Sequence, residues 1–432
     1  MPSNEAAAPS AVSQESGEYA GASSAGTGYA AALNAGFQAT ARGVQEMHQA
    51  IAGNTFGSLL CLPGLSLPTR IAQGVHDAIA QGVYATVRYG GSAASALAGG
   101  AERLAFDPGR TPGSKERLVR GALNGMFGDA LEAAGSALAL QMGLHDLEGP
   151  LLPGVERVAR LQPRVCVFLH GLACDEHSWR LRSDAWAASP WAESMPAGQA
   201  IHYGALLEHE PGISVVWLRY NSGLSIDTNA EQLAKLLDVF AHAAPQVKEW
   251  LLIGHSMGGL IARSAQAVAA ARELEWARRV PVIVCLGSPH QGAPLEKVGR
   301  VATAALALTN VTRPIGRIAA ARSRGIKDLR LGLKVPAAST SASASVSVSP
   351  AAPALRLVYA TLGDEAEGGI GPWVGRLLGD GLVRASSAAD DGLQGDVNRV
   401  ALAGLGHMAL LNHPRVYAVI QPWLVLPCVP AG

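Results

Sequence analysis

A serine held between two glycines is the strongest chemical feature of this chain. The segment Gly254-His-Ser-Met-Gly258 follows an apolar run of strand type at 250–253 and precedes a helical sequence at 260–271. A strand, a G-x-S-x-G turn and a helix in this order hold a serine on a sharp, strained elbow, where its hydroxyl is free to attack. Side chains at Gly254 and Gly258 would collide with the neighbouring strand and helix. The pattern predicts that Ser256 is a catalytic nucleophile.

A serine hydroxyl needs a base to remove its proton, and in this arrangement the acid and the base follow the serine in chain order. The best base is His407, which lies on a glycine-rich loop just after the last predicted strand. His413 is the competitor, but it directly precedes Pro414, where a terminal helix is predicted to start. We therefore expect His407 to be the base.

The carboxylate that orients the imidazole is predicted to be Asp380, within Leu378-Gly-Asp-Gly-Leu-Val383. Its role would be to fix the histidine tautomer and to stabilise the imidazolium without taking the proton. Asp364, directly after a predicted strand, is an alternative, and an aspartate flanked by glycines also suits a plain turn. Three further aspartates lie nearer the next strand: Asp390, Asp391 and Asp396.

Two backbone N–H groups are needed to stabilise the oxyanion of a tetrahedral intermediate. Met257, at the start of the helix after the elbow, is predicted to supply one of them. The second is expected from the loop after the first strand, in His170-Gly-Leu172, with the N–H of Leu172 as the donor. His170 itself is interpreted as a scaffold residue.

Alternating strands and helices must position these residues. Beyond Pro163 short apolar runs alternate with helical sequences such as 228–242, which predicts an α/β fold with a mostly parallel sheet buried on both faces. The predicted strands are 165–169, 214–218, 250–253, 280–286, 354–362 and 397–402.

The chain before residue 149 has a different pattern. Residues 1–29 are rich in alanine, serine and glycine and predict a disordered leader, and residues 30–148 predict a helical N-terminal region. Two apolar stripes at four-residue spacing are expected to pack together in its core. They are Ile71, Val75, Ile79, Val83 and Val87, and Val119, Leu123, Phe127 and Leu131. Residues 149–432 form the predicted catalytic domain, with an insertion at about 295–353 that is either a cap or a surface loop.

Composition excludes several classes of function. Lysine plus arginine equal aspartate plus glutamate at 34 each, so nothing indicates a nucleic-acid partner. No apolar run reaches the roughly 18 residues of a membrane span, and the first residues lack the features of a secretory signal. The five cysteines are scattered, and Cys166 and Cys285 lie in apolar runs where a free thiol suits the core. A reduced, cytoplasmic protein is expected.

In this order, these residues resemble an α/β-hydrolase serine esterase or lipase, with the likeness greatest to bacterial, lipase-like relatives of the GPI-inositol deacylase. The segments that carry the resemblance are 167–172, 219–223, 252–259, 286–295, 324–329, 379–383 and 406–411. The resemblance implies hydrolysis of a small-molecule or lipid ester through an acyl-enzyme on Ser256, with His407 as base and Asp380 as its orienter. It also implies that the loop 286–292 lines the acyl pocket and that His290 is structural.

One departure concerns metal binding. Some similar secreted lipases bind calcium through acidic residues near the catalytic histidine, but Ala409 stands two residues after His407. We therefore expect no calcium, no other metal and no cofactor.

Two other functions fit the same residues. An acyltransferase or a thioesterase would form the same acyl-enzyme and differ in the acceptor or the leaving group. A non-catalytic scaffold would instead use the helical front part for peripheral contact with membranes or storage granules. The oligomeric state stays open.

Overall fold

A computed structural model describes most of the chain: residues 29–60, 66–105, 113–133, 135–196, 198–293, 323–332, 352–362, 380 and 383–425. The α-helices in these ranges are α1 (Tyr29–Leu60), α2 (Ser66–Ala105), α3 (Ser114–Ala133), α4 (Glu156–Ala159), α5 (Tyr203–Leu207), α6 (Ile226–Ala243), α7 (Met257–Ala271), α8 (Arg324–Leu331), α9 (Ala385–Ala389) and α10 (Pro414–Val425). Short 3₁₀ helices lie at Glu176–Arg180, Ser183–Trp186, Glu275–Arg279 and His407–Leu411.

An eight-stranded sheet forms the centre of the molecule. Its strands are β1 (Gly143–Asp146), β2 (Gly149–Leu151), β3 (Arg164–Leu169), β4 (Ile213–Arg219), β5 (Glu249–His255), β6 (Val282–Leu286), β7 (Ala354–Thr361) and β8 (Val397–Ala403). They lie in the order β2-β1-β4-β3-β5-β6-β7-β8. Strands β3 to β8 pair in parallel, whereas β1 is antiparallel to both β2 and β4. The predicted parallel α/β sheet is confirmed.

Burial of the strands follows their position in the sheet. Strand β6 is buried along its whole length, and β3 and β5 at all but their first residue, because helices cover both faces. Strand β8, at the edge, is only partly buried. One core holds side chains from α3, α6 and α7, and the other holds those from α5 and α10. Cys166 and Cys285 are buried free thiols, as the sequence indicated.

The first two strands were not predicted. They form a hairpin of four and three residues that extends the sheet past β4 and spans the predicted boundary at residue 149. With residues such as His145, Asp146 and Pro150, the hairpin lacks the apolar run by which the other strands were found.

Helices α1 to α3 confirm the helical region before the sheet, but one of its two stripes is not in the core. Val119, Leu123, Phe127 and Leu131 are buried. Ile71, Val75, Ile79, Val83 and Val87 are instead 42% to 62% exposed on α2. The prediction that the α2 stripe packs in a core is wrong. Periodicity shows that a helix face is apolar, but it does not show what covers that face.

None of the helices described here is both long and apolar enough to cross a membrane. The predicted leader lies outside the described residues except for Tyr29, where α1 begins. Of the insertion at 295–353, the structure describes 323–332 and the last two residues. Its interpretation as a cap stays a prediction.

Candidate active site

The elbow has the geometry that its glycines indicated. Ser256 has φ 52° and ψ −119°, between the end of β5 and the start of α7. Its N–H donates to the carbonyl of Leu286 on β6 at 2.8 Å. A Cβ on Gly254 would collide with the backbone at Gly259, and one on Gly258 with the carbonyl oxygens at the end of β3. Only glycine lets the three elements meet this closely.

His407 and Asp380 come together beside the elbow. Nδ1 of His407 lies 2.6 Å from Oδ2 of Asp380, and both side chains are buried. Two further hydrogen bonds hold the backbone around this pair. The His407 N–H donates to the Asp380 carbonyl at 3.0 Å, and the Val383 N–H donates to Oδ1 of Asp380 at 2.8 Å. An ionised carboxylate only accepts, so Nδ1 carries the proton in this pair.

The other ring nitrogen of His407 is therefore left with a lone pair. Nε2 is buried and has no hydrogen-bond partner among the described residues. His407 and Ser256 line the same cavity. An imidazole held by a carboxylate, with its free nitrogen in a cavity shared with an elbow serine, is chemically able to accept a proton from that serine.

His255, the residue before the serine, was not singled out from the sequence. Its Nε2–H donates to the His407 carbonyl at 3.1 Å, and the two rings lie 4.7 Å apart. Burial, and then the neighbouring His407, lower the pKa of His255 to about 3. His255 is therefore a neutral donor that holds the backbone of His407.

The loop after β3 passes directly beside the elbow. A Cβ on Gly171 would lie 2.9 Å from Nδ1 of His255 and 3.2 Å from Cβ of Ser256, so a larger residue would push the loop away. Leu172, the predicted donor, comes next in the chain. It lines the same cavity as Ser256. Ala173 has φ 61°, and its N–H donates to the Ser222 hydroxyl at 3.0 Å.

Helix α3 supports this loop from behind. Gly121 and Gly125 on α3 lie against the backbone of Ala173 and Cys174, and Gly128 lies against Asn221. The side-chain amide of Asn221 donates to the Gly128 carbonyl at 2.9 Å, and the Ser323 hydroxyl donates to the Gly125 carbonyl at 2.7 Å. The packing was not predicted, although glycines at 121, 125 and 128 share one helix face.

A small cavity lies over the elbow. Apart from the serine and two imidazoles, its lining is mostly apolar and includes no lysine, arginine, aspartate or glutamate among the residues identified there. The lining residues are Gly171, Leu172, Cys174, His255, Ser256, Pro289, Ala293, Leu329, Val383, His407 and Met408. Leu329 comes from α8, within the insertion, and Pro289 and Ala293 come from the loop after β6.

Three other histidines weighed from the sequence form hydrogen bonds with groups other than Ser256, Asp380 and His407. His170 stacks on Tyr220, with ring centroids 4.1 Å apart, and its carbonyl accepts the Tyr220 hydroxyl, as suits a scaffold residue. His290 is buried and its Nδ1 accepts from Arg263 at 2.7 Å; burial, and then Arg263, lower its pKa well below the usual value. His413 directly precedes α10. Asp364 lies outside the described residues.

A cluster of possible metal ligands follows the loop: Asp175, Glu176 and His177. Oδ1 of Asp175 accepts from the His177 N–H and the Ser178 hydroxyl, which caps the 3₁₀ helix. Glu176 is paired with Arg219 through both carboxylate oxygens. Burial opposes ionisation of Glu176, but bonds with His177 and Arg219 outweigh it and hold its pKa far below the usual range. Because these oxygens already accept hydrogen bonds from the helix cap and from Arg219, the cluster has a structural role.

Comparison with known families finds a likeness in the part of the chain around the elbow. Residues 225–320 match the family model described as "PGAP1-like alpha/beta domain". The match includes the elbow and confirms the resemblance found in the sequence, and the parallel sheet around the elbow confirms the α/β-hydrolase fold. No curated protein sequence matches the chain significantly.

Solved structures with a similar chain path are distant in sequence from this protein. The mature lipase BlEst2 of Bacillus licheniformis is 17% identical, with a TM-score of 0.38 over 66% of this chain and 98% of the lipase. YbtT, a type II thioesterase of the yersiniabactin pathway, is 13% identical, with a TM-score of 0.38 over 64% of this chain and 96% of its own. At these values neither structure indicates the substrate.

Proposed function

We propose that this protein is a serine hydrolase that cleaves carboxylic esters through an acyl-enzyme on Ser256. The observation that carries the proposal is the pairing of His407 Nδ1 with Asp380 Oδ2 at 2.6 Å, in the same cavity as a serine on a strained elbow. A buried carboxylate–imidazole pair with a free Nε2 beside an elbow serine is the arrangement that activates a hydroxyl.

Acylation begins when the Ser256 hydroxyl attacks the carbonyl carbon of the ester. Nε2 of His407 takes the hydroxyl proton, and the resulting imidazolium is stabilised by Asp380 through Nδ1–H. As the tetrahedral intermediate collapses, the carbon–oxygen bond to the alcohol breaks and His407 returns the proton to the leaving alkoxide. The acyl group is then bonded to Oγ of Ser256.

Deacylation repeats the sequence with water. His407 removes a proton from water as the water oxygen attacks the acyl carbon. When this second tetrahedral intermediate collapses, the bond between the acyl carbon and Oγ of Ser256 breaks and His407 returns the proton to Oγ. The products are a carboxylic acid and the free enzyme. His255 has a positioning role because it holds the His407 backbone carbonyl.

Charge on the carbonyl oxygen develops in both steps. We assign its stabilisation to the N–H groups of Met257, at the start of α7, and Leu172, on the loop after β3. One such donor contributes about 100- to 1,000-fold to kcat in serine hydrolases. Gly171 supports this assignment because it lets the loop lie within contact distance of the elbow.

The cavity lining limits the acyl group. With mostly apolar side chains and no lysine, arginine, aspartate or glutamate among the lining residues described, the cavity favours an uncharged, apolar acyl chain over a charged one. A lipid ester or a small apolar ester meets this condition.

The direct test measures hydrolysis of p-nitrophenyl esters of increasing acyl length by the wild type and by Ser256→Ala. We expect release of p-nitrophenol by the wild type and a loss of about 10⁴-fold or more in the variant. Ser264→Ala on α7 is the matched control, which should keep the wild-type rate. A fluorophosphonate probe, followed by identification of the modified residue, should label Ser256. Equal rates in wild type and Ser256→Ala, or labelling elsewhere, would overturn the proposal.

The same acyl-enzyme would serve a thioesterase or an acyltransferase. Two further assays separate these reactions from ester hydrolysis: release of thiol from acyl thioesters, and formation of a new ester when an alcohol is added. Ester hydrolysis as the main activity predicts a higher kcat/KM for oxygen esters and little transfer to the alcohol.

A further inference from the structure

Two histidines outside the candidate active site face each other between α1 and α2. Nε2 of His48 on α1 lies 3.1 Å from Nε2 of His76 on α2, although the residues are 28 positions apart. Their rings meet edge to face with centroids 4.9 Å apart, and the ring of Phe56 packs against His76 at 5.4 Å. Both histidines are partly buried.

The alignment of the two helices is fixed by other polar bonds. Nε2 of Gln38 on α1 donates to the Arg88 carbonyl on α2 at 2.8 Å, and Nη1 of Arg88 donates to Oε1 of Gln45 at 2.8 Å. These bonds fix the position of α1 relative to α2. The two imidazoles therefore lie close together because of the way the helices pack, and not because one flexible side chain reaches across.

The second nitrogen of each ring also has a partner. Nδ1 of His76 lies 3.1 Å from Oδ1 of Asp77, and Nδ1 of His48 lies 3.2 Å from the Tyr84 hydroxyl. The carboxylate only accepts, so Nδ1 of His76 carries the proton and its Nε2 holds a lone pair. A carboxylate on the far nitrogen is the usual companion of a metal-bound histidine, since it fixes the tautomer and raises the basicity of the ligand.

We propose that His48 and His76 bind a divalent transition-metal ion, Zn²⁺ or Cu²⁺, between their Nε2 atoms. Metal–imidazole bonds are about 2.0–2.1 Å long. Two nitrogens 3.1 Å apart then subtend about 100° at the metal, which suits neighbouring positions in tetrahedral or square-planar geometry. Water completes the coordination. The proposal is independent of the function assigned to Ser256.

Binding requires one internal proton shift. Without metal, the Tyr84 hydroxyl donates to Nδ1 of His48, and Nε2–H of His48 donates to Nε2 of His76. With metal, the His48 proton lies on Nδ1 and is donated to the Tyr84 oxygen, so both Nε2 lone pairs face the ion. No proton leaves the pair, and the ion joins α1 to α2.

The spacing of the two histidines explains why the sequence did not predict this site. No short motif links them, and only the antiparallel packing of α1 and α2 brings them together. The cluster at 175–177, which is contiguous in sequence, has its oxygens committed to a helix cap and to Arg219. In the His48–His76 pair, by comparison, the two Nε2 atoms are hydrogen-bonded only to each other.

The test titrates the untagged full chain with Zn²⁺ by calorimetry and with Cu²⁺ by electron paramagnetic resonance. We expect one Zn²⁺ per chain to be lost in His48→Gln and in His76→Gln, and Asp77→Asn to weaken binding by about 10- to 100-fold. The Cu²⁺ spectrum of the wild type should show coupling to two imidazole nitrogens.

His242→Gln is the matched control, because His242 is exposed on α6 away from the pair. It should bind as the wild type does. Circular dichroism checks that each variant is folded. Unchanged stoichiometry and affinity in the double variant of His48 and His76, or a Cu²⁺ spectrum without coupling to two nitrogens, would overturn the proposal.

Discussion

Gly125 on α3 and Ala173 on the loop after β3 are packed so closely that no side chain fits between them. A Cβ on Gly125 would lie 2.8 Å from the backbone nitrogen and Cα of Ala173. Ala173 has a left-handed backbone, at φ 61°, and follows Leu172, the proposed oxyanion donor. The helical region before the sheet therefore contributes to the geometry of the candidate active site.

The substitution Gly125→Ala should displace the loop and weaken the oxyanion donor. Since that donor acts mainly in the transition state, we expect kcat to fall by about 10- to 100-fold with KM little changed. Affinity for a boronic acid, which mimics the tetrahedral intermediate, should fall in parallel.

The control for this variant is Gly74→Ala on α2, where a Cβ would meet nothing within 4 Å. It should keep wild-type kinetics. If Gly125→Ala raised KM without lowering kcat, or changed stability alone, α3 would not position the donor.

The substitution Asp380→Asn tests the partner of His407. An amide can donate to Nδ1 and so favours the wrong tautomer, with Nε2 protonated and unable to act as a base. We expect kcat to fall by about 10⁴-fold while the fold is kept, measured with the best p-nitrophenyl ester.

Asp364→Asn tests the alternative orienter in the same assay. We expect activity close to that of the wild type, since Asp380 already occupies Nδ1 of His407 at 2.6 Å. A loss in Asp364→Asn and not in Asp380→Asn would reverse the assignment.

The two apolar stripes should differ in their effect on stability. Leu123 is 3% exposed, and Leu123→Ala should lower the free energy of unfolding by about 2–5 kcal/mol. Ile79 is 62% exposed, and Ile79→Ala should change it by no more than about 0.5 kcal/mol. Urea unfolding followed by circular dichroism measures both. A similar loss in Ile79→Ala would mean that another surface covers α2 in solution.

Acid should weaken the fold partly through His202. Its Nδ1 accepts the Ala205 N–H at 3.1 Å and so caps α5. Burial, and then Arg180, lower the pKa of His202 from 6.5 to about 4. Between these values the unfolded chain binds a proton that the folded chain does not, so this stabilisation is present above pH 6.5 and is lost as the pH falls towards 4.

The substitution His202→Asn keeps an acceptor at the cap but removes the titration. The loss of unfolding free energy between pH 7 and pH 5 should be smaller than in the wild type by about 1–2 kcal/mol. His242→Asn, at an exposed position of α6, should leave the difference unchanged. An identical pH dependence in His202→Asn and the wild type would contradict the assignment.

The sequence by itself determined the features that depend on local pattern. Continuous apolar runs predicted β3 to β8, because a strand buried on both faces needs them. The glycines around Ser256 predicted the elbow, because a Cβ at Gly254 or Gly258 would collide with the neighbouring backbone. The chain order of Ser256, Asp380 and His407 was visible in the same way.

The tertiary structure decided whatever depends on residues distant in the chain. It joins Asp380 to His407, places α3 behind the loop of Ala173, and brings His48 to His76. It also leaves the α2 stripe exposed, although the spacing equals that of the buried α3 stripe. Periodicity fixes which face of an element is apolar, but the partner of that face is set by how the whole chain packs.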